Sequence, residues 1–397
     1  MLIFVNKDIQ MKIIEVTNKK TVQDFLNLPW FIYKDDKNWI PHLKQDVEKV
    51  FDPNKNKAHN NGKIIRWILI DDNNKVIGRI AAFINYKLAN TFDQPTGGTG
   101  FFECINDKDA AFLLFNTAKK WLAENEMEAM DGPINFGEKN MFWGLLIENF
   151  IDPNSYGMNY NPAYYQSLFE DYGFKVYYKQ LMCKRDMHVP VQDVFVEKSE
   201  RLMKRKEYSI SNVRNMSIPE IAENFRTVYN DAWGGHNNFK MMDLKTANSI
   251  MRTLKPIYDK DIMVFVFYKE TPIAFYINIP ELNEIFKYVN GNLNWLGKLK
   301  FLYYKWRKPP TTMVGIVFGV SRKFQGKGVE GAMIKWSQEN IVTLNRYNQT
   351  VLTWIGDFNP KMLKISEYLG ADVYRKYHTY RYLFDQTIPF ERAPILE

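Results

Sequence analysis

The sequence predicts an α/β (α+β) protein of two similar domains, each a mixed, mostly antiparallel sheet flanked by helices. Three observations lead there. One order of elements occurs twice along the 397 residues: a hairpin, a further strand, a long amphipathic helix, an Asn-Pro helix start, a closing glycine and a last strand. The chain is longer than one ordinary core needs, and with 46% hydrophobic and 15% aromatic residues it can fill two. A late β-branched strand also runs into a glycine-punctuated basic turn and then a helix. These features place domains at 11–188 and 207–397, with a linker helix over 189–206.

Met11 opens a strand-like Lys12-Ile-Ile-Glu-Val16, so residues 1–10 are expected to be an upstream start or an expression remnant. The aromatic-dense Leu28–Tyr33 and Asn38–Pro41 read as packing against the first sheet, with an acceptor pocket as the alternative. Ile64–Ile70 and Val76–Asn85 form a hairpin about the polar turn Asp71-Asp-Asn-Asn74. After the strand Gly100–Ile105, Asp107 is placed to cap the helix that runs to Asn125. Asn161-Pro162 and Gly173 supply a helix start and stop before the strand Lys175–Asp186.

The linker cations Lys198, Arg201, Lys204, Arg205 and Lys206 fall largely on one helical side. That suits a solvated surface helix, and less directly a nucleic-acid arm. The second hairpin is Ile262–Tyr268 with Ile273–Ile279, around Lys269-Glu-Thr-Pro272. Residues 292–308 insert a basic, aromatic stretch with Leu293, Leu296, Leu299 and Leu302 at helical spacing. The expectation is a helix packed on the domain interface. A peripheral membrane contact through 292–308 is the sharper reading, and single-stranded nucleic acid has no recognised motif to support it. A helix to Leu344, a strand Val351–Ile355, Asn359-Pro360 to Gly370 and a strand Val373–Phe384 close the chain.

The turn Ser321-Arg-Lys-Phe-Gln-Gly-Lys-Gly328 is built to meet an anion. Gly326 and Gly328 can take positive φ, and the first amides of the following helix lack intrahelical partners. A P-loop fails twice, because Ser321 and Gly328 stand where it needs Gly and Ser/Thr. Gly326-Lys-Gly328-Val-Glu-Gly331 matches the dinucleotide fingerprint, with Asp357 ending a later apolar stretch. Against it, Ser321–Gln325 separate strand from glycine and too little chain follows for further βαβ units.

The third reading is an acyl-CoA diphosphate loop. Here the chain resembles the GNAT superfamily of acyltransferases, whose signature Gln/Arg-x-x-Gly-x-Gly/Ala follows the fourth strand. Gln325-Gly-Lys-Gly328 fits, while Glu330 stands where Gly or Ala is usual. The elements that follow keep the family's order, and the repeat extends the resemblance to a tandem GNAT protein. The first copy has Asn106-Asp-Lys-Asp109 in place of the glycine turn, so it is expected to be degenerate and to shape an acceptor groove or brace its partner.

The resemblance implies direct attack of an amine on the thioester of acetyl-CoA or another acyl-CoA, with no metal. Donor binding is expected from Phe318, Val320, Arg322, Gln325, Gly326, Lys327, Gly328, Val329, Glu330 and Asn359, with Lys323 as a further phosphate contact. Val320 and its neighbours would offer backbone N–H groups to the carbonyl oxygen. Many family members carry a tyrosine acid seven residues after the Asn. Ser366 stands there and Tyr368 lies about 200° around the helix, so Tyr368 is the candidate acid. Asp357 is the candidate base and His236, in Trp233-Gly-Gly-His, the candidate acceptor-loop residue.

A formal charge of +8 favours anionic partners. Two cysteines and five scattered histidines give neither a disulfide framework nor metal-ligand spacing. No run of eighteen apolar residues and no signal segment occur, so the expectation is a cytoplasmic protein. The acceptor is expected to be a small-molecule or peptide amine rather than nucleic acid, and nothing in the residues specifies an oligomeric state. Two other readings remain: an acyl-CoA sensor without turnover, motivated by the displaced tyrosine, and an aminoacyl or nucleic-acid-associated transferase, motivated by charge.

Overall fold

A computed structural model describes residues 11–234 and 241–396. The first half forms strands β1 (Lys12–Glu15), β2 (Gly62–Ile70), β3 (Val76–Asn85), β4 (Thr96–Cys104), β5 (Ala129–Gly132), β6 (Leu145–Glu148) and β7 (Lys175–Asp186). Its helices are α1 (Lys19–Ile32), α2 (Lys44–Phe51), α3 (Tyr86–Ala89), α4 (Lys108–Glu124) and α5 (Tyr165–Tyr172). Helix α6 (Asp193–Met203) joins the halves. The second half forms β8 (Tyr208–Asn212), β9 (Met263–Tyr268), β10 (Thr271–Pro280), β11 (Thr312–Val320), β12 (Gln349–Gly356) and β13 (Asp372–Leu383). Its helices are α7 (Ile218–Trp233), α8 (Leu244–Leu254), α9 (Asn283–Phe286), α10 (Trp295–Arg307), α11 (Val329–Val342) and α12 (Pro360–Tyr368).

The thirteen strands of the described residues form one sheet, in the order β1-β2-β3-β4-β5-β13-β7-β12-β11-β10-β9-β8, with β6 on β13. Among the described residues only β4 with β5 and β11 with β12 pair in parallel. The halves have exchanged their last strands. β7 pairs with β12, Gln349 opposite Asp186, while β13 pairs with β5, Tyr380 opposite Gly132. β13 and β7 also pair with each other, which fuses the two sheets at the middle. Each half therefore carries a mixed, mostly antiparallel sheet, as expected, but each is closed by a strand from the other.

Both faces are covered, which explains why β3 and β10 are mostly apolar on both sides rather than alternating, with Arg79 and Asn278 as buried polar exceptions. In the first half α4 and α5 bury Leu114, Phe115 and Phe169 on one face, and α1 and α2 bury Phe25, Val47 and Val50 on the other. In the second, α11 brings Val329, Ala332 and Met333 to one face and α7 brings Ala222, Phe225 and Val228 to the other. A smaller cluster, Tyr33, Met182, Val351 and Tyr377, spans the junction.

Three expectations are corrected, the last in part. Asn161 does not cap α5. Its side chain clips β6, accepting from the Leu146 amide at 2.7 Å and donating to the Leu146 carbonyl at 3.1 Å. The linker does not simply cross solvent, because α6 packs on α11. Lys335 pairs with Glu200 at 3.3 Å, Leu202 is buried, and the Gln338 side-chain amide donates to the Met187 and Val189 carbonyls. The stretch at 292–308 meets its expectation only in part: Leu293 and Phe301 pack in a cluster with Leu43 and Tyr156 of the first half, while Leu296, Leu299 and Leu302 are exposed.

Candidate functional site: the split between β11 and β12

Strands β11 and β12 pair only from Thr312–Gln349 to Gly315–Leu352, then part. Thr353 marks the parting, its hydroxyl donating to the Gly315 carbonyl at 3.0 Å. β11 stays on β10 as far as Val320 opposite Ala274, across a register shift at Ile277/Asn278. The edge of β11 facing β12 is therefore bare after Gly315. The Ser321 amide donates to Ile273 at 2.8 Å, toward β10. Successive amides of a strand alternate sides, so the Phe318 and Val320 N–H groups turn to the open edge. The Val320 carbonyl, on that same edge, accepts from the Gln325 side chain at 3.0 Å.

Between the parted strands, α11 and α12 lies a cleft of about 420 Å³. It runs along β11 from Phe318 back to Met313, roughly 16 Å at the rise of a strand. Trp233, Trp354, Phe358, Met362, Met187, Met313 and Ile334 give it apolar walls. Its polar groups are mostly occupied by neighbours. Tyr276 meets Thr350 at 3.2 Å, and the Ser337 and Ser366 hydroxyls donate to Met333 and Leu363, each at 2.7 Å. Arg185 is the charged lining residue. It donates to the Val189 carbonyl, its Nε has no partner, and burial lowers its pKa from the usual guanidinium value.

At the end of β11 the chain turns through Gly326 and Gly328, with φ of 71° and 88°. Gly328 caps α11 without a side chain and its carbonyl accepts from Ala332 at 3.0 Å, so the amides of Val329, Glu330 and Gly331 have no partner within the helix. Space is open where a Cβ on Gly326 would point. A Cβ on Gly328 would come within 3.3 Å of Lys198 on α6, so this glycine is needed for conformation and for room. One carboxylate already sits in the turn: Glu330 accepts from the Gly326 N–H at 3.3 Å.

Of the residues singled out, Phe318 and Asn359 line the cleft, and Asn359 also caps α12, accepting from the Met362 amide at 3.2 Å. Lys323 and Lys327 are exposed, and Arg322 leans on Asp231 of α7 at 3.8 Å. Asp357 lies off the cleft and both its oxygens are engaged. One accepts from the Lys179 amide at 3.0 Å, the other from Arg392 at 2.6 Å. That placement sets it apart from the residues that line the cleft. His236 lies outside the described residues, as does the side chain of Tyr368, whose backbone ends α12. Sequence reasoning missed Arg185 and Met187, which reach this cleft from the first half only because β7 is exchanged. No signal in the residues announces that crossing.

The first half repeats the split. β4 and β5 pair from Thr96–Ala129 to Gly98–Asp131 and then separate. Asp107 caps α4 there, accepting from Ala110 at 2.8 Å. The gap holds only about 50 Å³ of space and a buried network. Glu103 accepts from Tyr33 at 2.8 Å and Tyr165 at 2.9 Å, and faces Arg79 at 3.4 Å. Burial raises the Glu103 pKa, and Arg79 with the two phenols opposes that rise.

No family model matches the chain. Among solved structures, a tandem GNAT protein from the clavulanic acid biosynthesis pathway aligns with 96% of this chain and 100% of its own, at a TM-score of 0.54 and 10% identity. The chain has the tandem GNAT fold. In sequence it is 24% identical to protein YghO of Escherichia coli K12, over 91% of this chain and 93% of that protein. It is also 24% identical to the bacterial ceramide synthase of Caulobacter vibrioides, over 95% of this chain and 98% of that protein. Among the described residues no helix is long and apolar enough to cross a membrane, and no group of three His, Cys, Asp or Glu could hold a metal ion.

Proposed function

We propose that this chain moves a long acyl group from a coenzyme A thioester to an amine, using its second half. The observation that carries the reading is the apolar cleft opening where β11 and β12 part, with the bare edge of β11 and the glycine turn at its rim. The free amides of Val329–Gly331 and the exposed Lys323 and Lys327 would hold the donor's diphosphate. When bound, the thioester supplies an activated carbonyl and a thiolate leaving group. The Phe318 and Val320 N–H groups would face that carbonyl oxygen, and each such donor is worth on the order of 3 kcal/mol as charge develops there. Among the described residues no carboxylate or imidazole lines the cleft, so the amine would enter uncharged or lose its proton to water.

The apolar walls favour a long acyl chain over acetyl. A ceramide is an N-acylated long-chain amino alcohol, so the likeness to the Caulobacter protein favours a sphingoid-type amine within the wider class of small-molecule or peptide acceptors. The test is free-thiol release from palmitoyl-CoA and acetyl-CoA across an amine panel that includes sphinganine. Release with palmitoyl-CoA and sphinganine, lost in Gly328→Asp, is the expected result. Thiol release that the substitution leaves intact would sink the assignment of the turn.

A second reading has its own observation. Glu330 occupies the Gly326 N–H, and Ser366, buried and bonded to Leu363, stands where the resemblance puts a tyrosine. A sensor of this kind would bind palmitoyl-CoA and release no thiol with any amine.

A further inference from the structure

Single exposed leucines are ordinary on protein surfaces, whereas contiguous exposed apolar groups on one helix are not. On α10, Trp295, Leu296, Leu299, Leu302, Tyr303 and Trp306 are 69, 50, 55, 61, 55 and 78% exposed. At about 100° per residue these six fall within one arc of about 120°.

The opposite side of the same helix holds it to the body. Gly297 is buried so close to the Asn292 carbonyl that a Cβ would stand 2.0 Å from it. Phe301 packs on Phe286 at 5.4 Å, and Tyr304 stacks on Tyr288 at 3.8 Å. Asn294 fixes the helix start, accepting from the Gly297 amide at 2.9 Å. The outward arc is therefore rigidly presented.

Charge is arranged around that arc. Lys298 and Lys305 fall on one flank and Lys300 and Arg307 on the other, by the same helical geometry. The helix contains no Asp or Glu. The two tryptophans stand near its two ends. Apolar side chains facing outward, cations on both shoulders and tryptophan at each end match a helix lying in the plane of a bilayer, with lysine and arginine stems reaching back to phosphates. Protein–protein interfaces are depleted in lysine relative to the rest of a protein's surface. Here both flanks of the helix itself carry only cations, and the chain as a whole has a net charge of +8.

We propose that α10 docks this protein on an anionic lipid bilayer, its six apolar side chains entering the acyl boundary and Lys298, Lys300 and Arg307 meeting lipid phosphates, while Lys305 donates to the Pro256 carbonyl at 3.0 Å. The proposal stands apart from the acyl-transfer reading, because it uses no residue of the cleft.

Flotation of the full chain with vesicles tests it, comparing pure phosphatidylcholine with an equimolar mixture of phosphatidylcholine and phosphatidylglycerol. Tryptophan emission reports burial of Trp295 and Trp306. The unsubstituted protein should float with the mixed vesicles and shift its emission to the blue. The double variant Leu299→Glu, Leu302→Glu should lose at least about 100-fold in partition, from two buried leucines, with an unchanged melting temperature because both side chains are already in solvent. Lys298→Gln with Lys300→Gln should weaken flotation in a salt-dependent way. Equal flotation of the double variant, equal affinity for pure phosphatidylcholine, or no flotation at all would each overturn the proposal. So would a dimer in sedimentation that the double variant dissolves, which would make the face a self-association surface.

Discussion

If the cleft holds the acyl chain, donor affinity must climb with chain length at a rate set by burial. Each methylene taken from water contributes about 0.8 kcal/mol, close to fourfold, so every two carbons should tighten the dissociation constant about 15-fold. The climb should end when the space from Phe318 back to Met313 is full. Ser337 lines that space from α11 and is buried. Ser337→Leu adds three carbons and removes a hydroxyl, so the plateau should arrive roughly three carbons sooner, interiors being packed at nearly constant density. The loss of the Ser337–Met333 hydrogen bond costs about 1 kcal/mol of stability and is read separately by melting. Calorimetric titration with an even-numbered acyl-CoA series, in both proteins, measures both slope and plateau. Equal affinity for acetyl-CoA and palmitoyl-CoA would refute the assignment of the cleft, and a plateau that Ser337→Leu leaves in place would refute its orientation along β11.

Further outcomes follow from the same geometry. Gly328→Ala should cost about 1–2 kcal/mol from positive φ alone and weaken coenzyme A binding as well, with thermal shift reading both. Asp357→Asn should change melting by little and leave the pH-rate profile without a missing limb, since its partners are the Lys179 amide and Arg392. Burial and the nearby Arg79 charge hold His42 neutral, its pKa lowered from 6.5 to about 4. The unfolded chain then binds the extra proton first, so stability should fall as pH drops from 6.5 toward 4, by on the order of 3 kcal/mol. His42→Phe, which keeps the edge-on packing against Phe142, should flatten that part of the pH–melting curve.

Much of the fold was legible because local chemistry and tertiary context agree. The strands Val76–Asn85 and Lys175–Asp186 occur with the bounds the sequence suggests, and Asp107 caps its helix. The turn at Lys269 and Glu270 is tight, with both residues at positive φ. The exchange of β7 and β13 was not legible. The two strands occupy equivalent places in a repeat, so hydrophobic patterning is satisfied by either partner. The stretch at 292–308 stayed between interface packing and membrane contact for a related reason: a helical period shows that one side is apolar, not what covers it. Asn161-Pro162 copies the Asn359-Pro360 signal, yet the first helix starts at Tyr165 and leaves Asn161 free to hold β6. In the candidate site, the glycine turn was readable from its backbone demands. Arg185 and Met187 were not, because their approach depends on which strand lies beside β12.

The crossing of β7 and β13 also orders events during synthesis. The first half is complete in sequence at Asp186, yet β5 has no neighbour on its inner side until Tyr380–Leu383 have left the ribosome. Until then both β5 and β7 carry unpaired edges, the kind that recruit other chains. Emergence of β13 closes the first half, whereas the second can already close on β7, so a nascent chain arrested before Asp372 should be a chaperone client although most of its length can already fold.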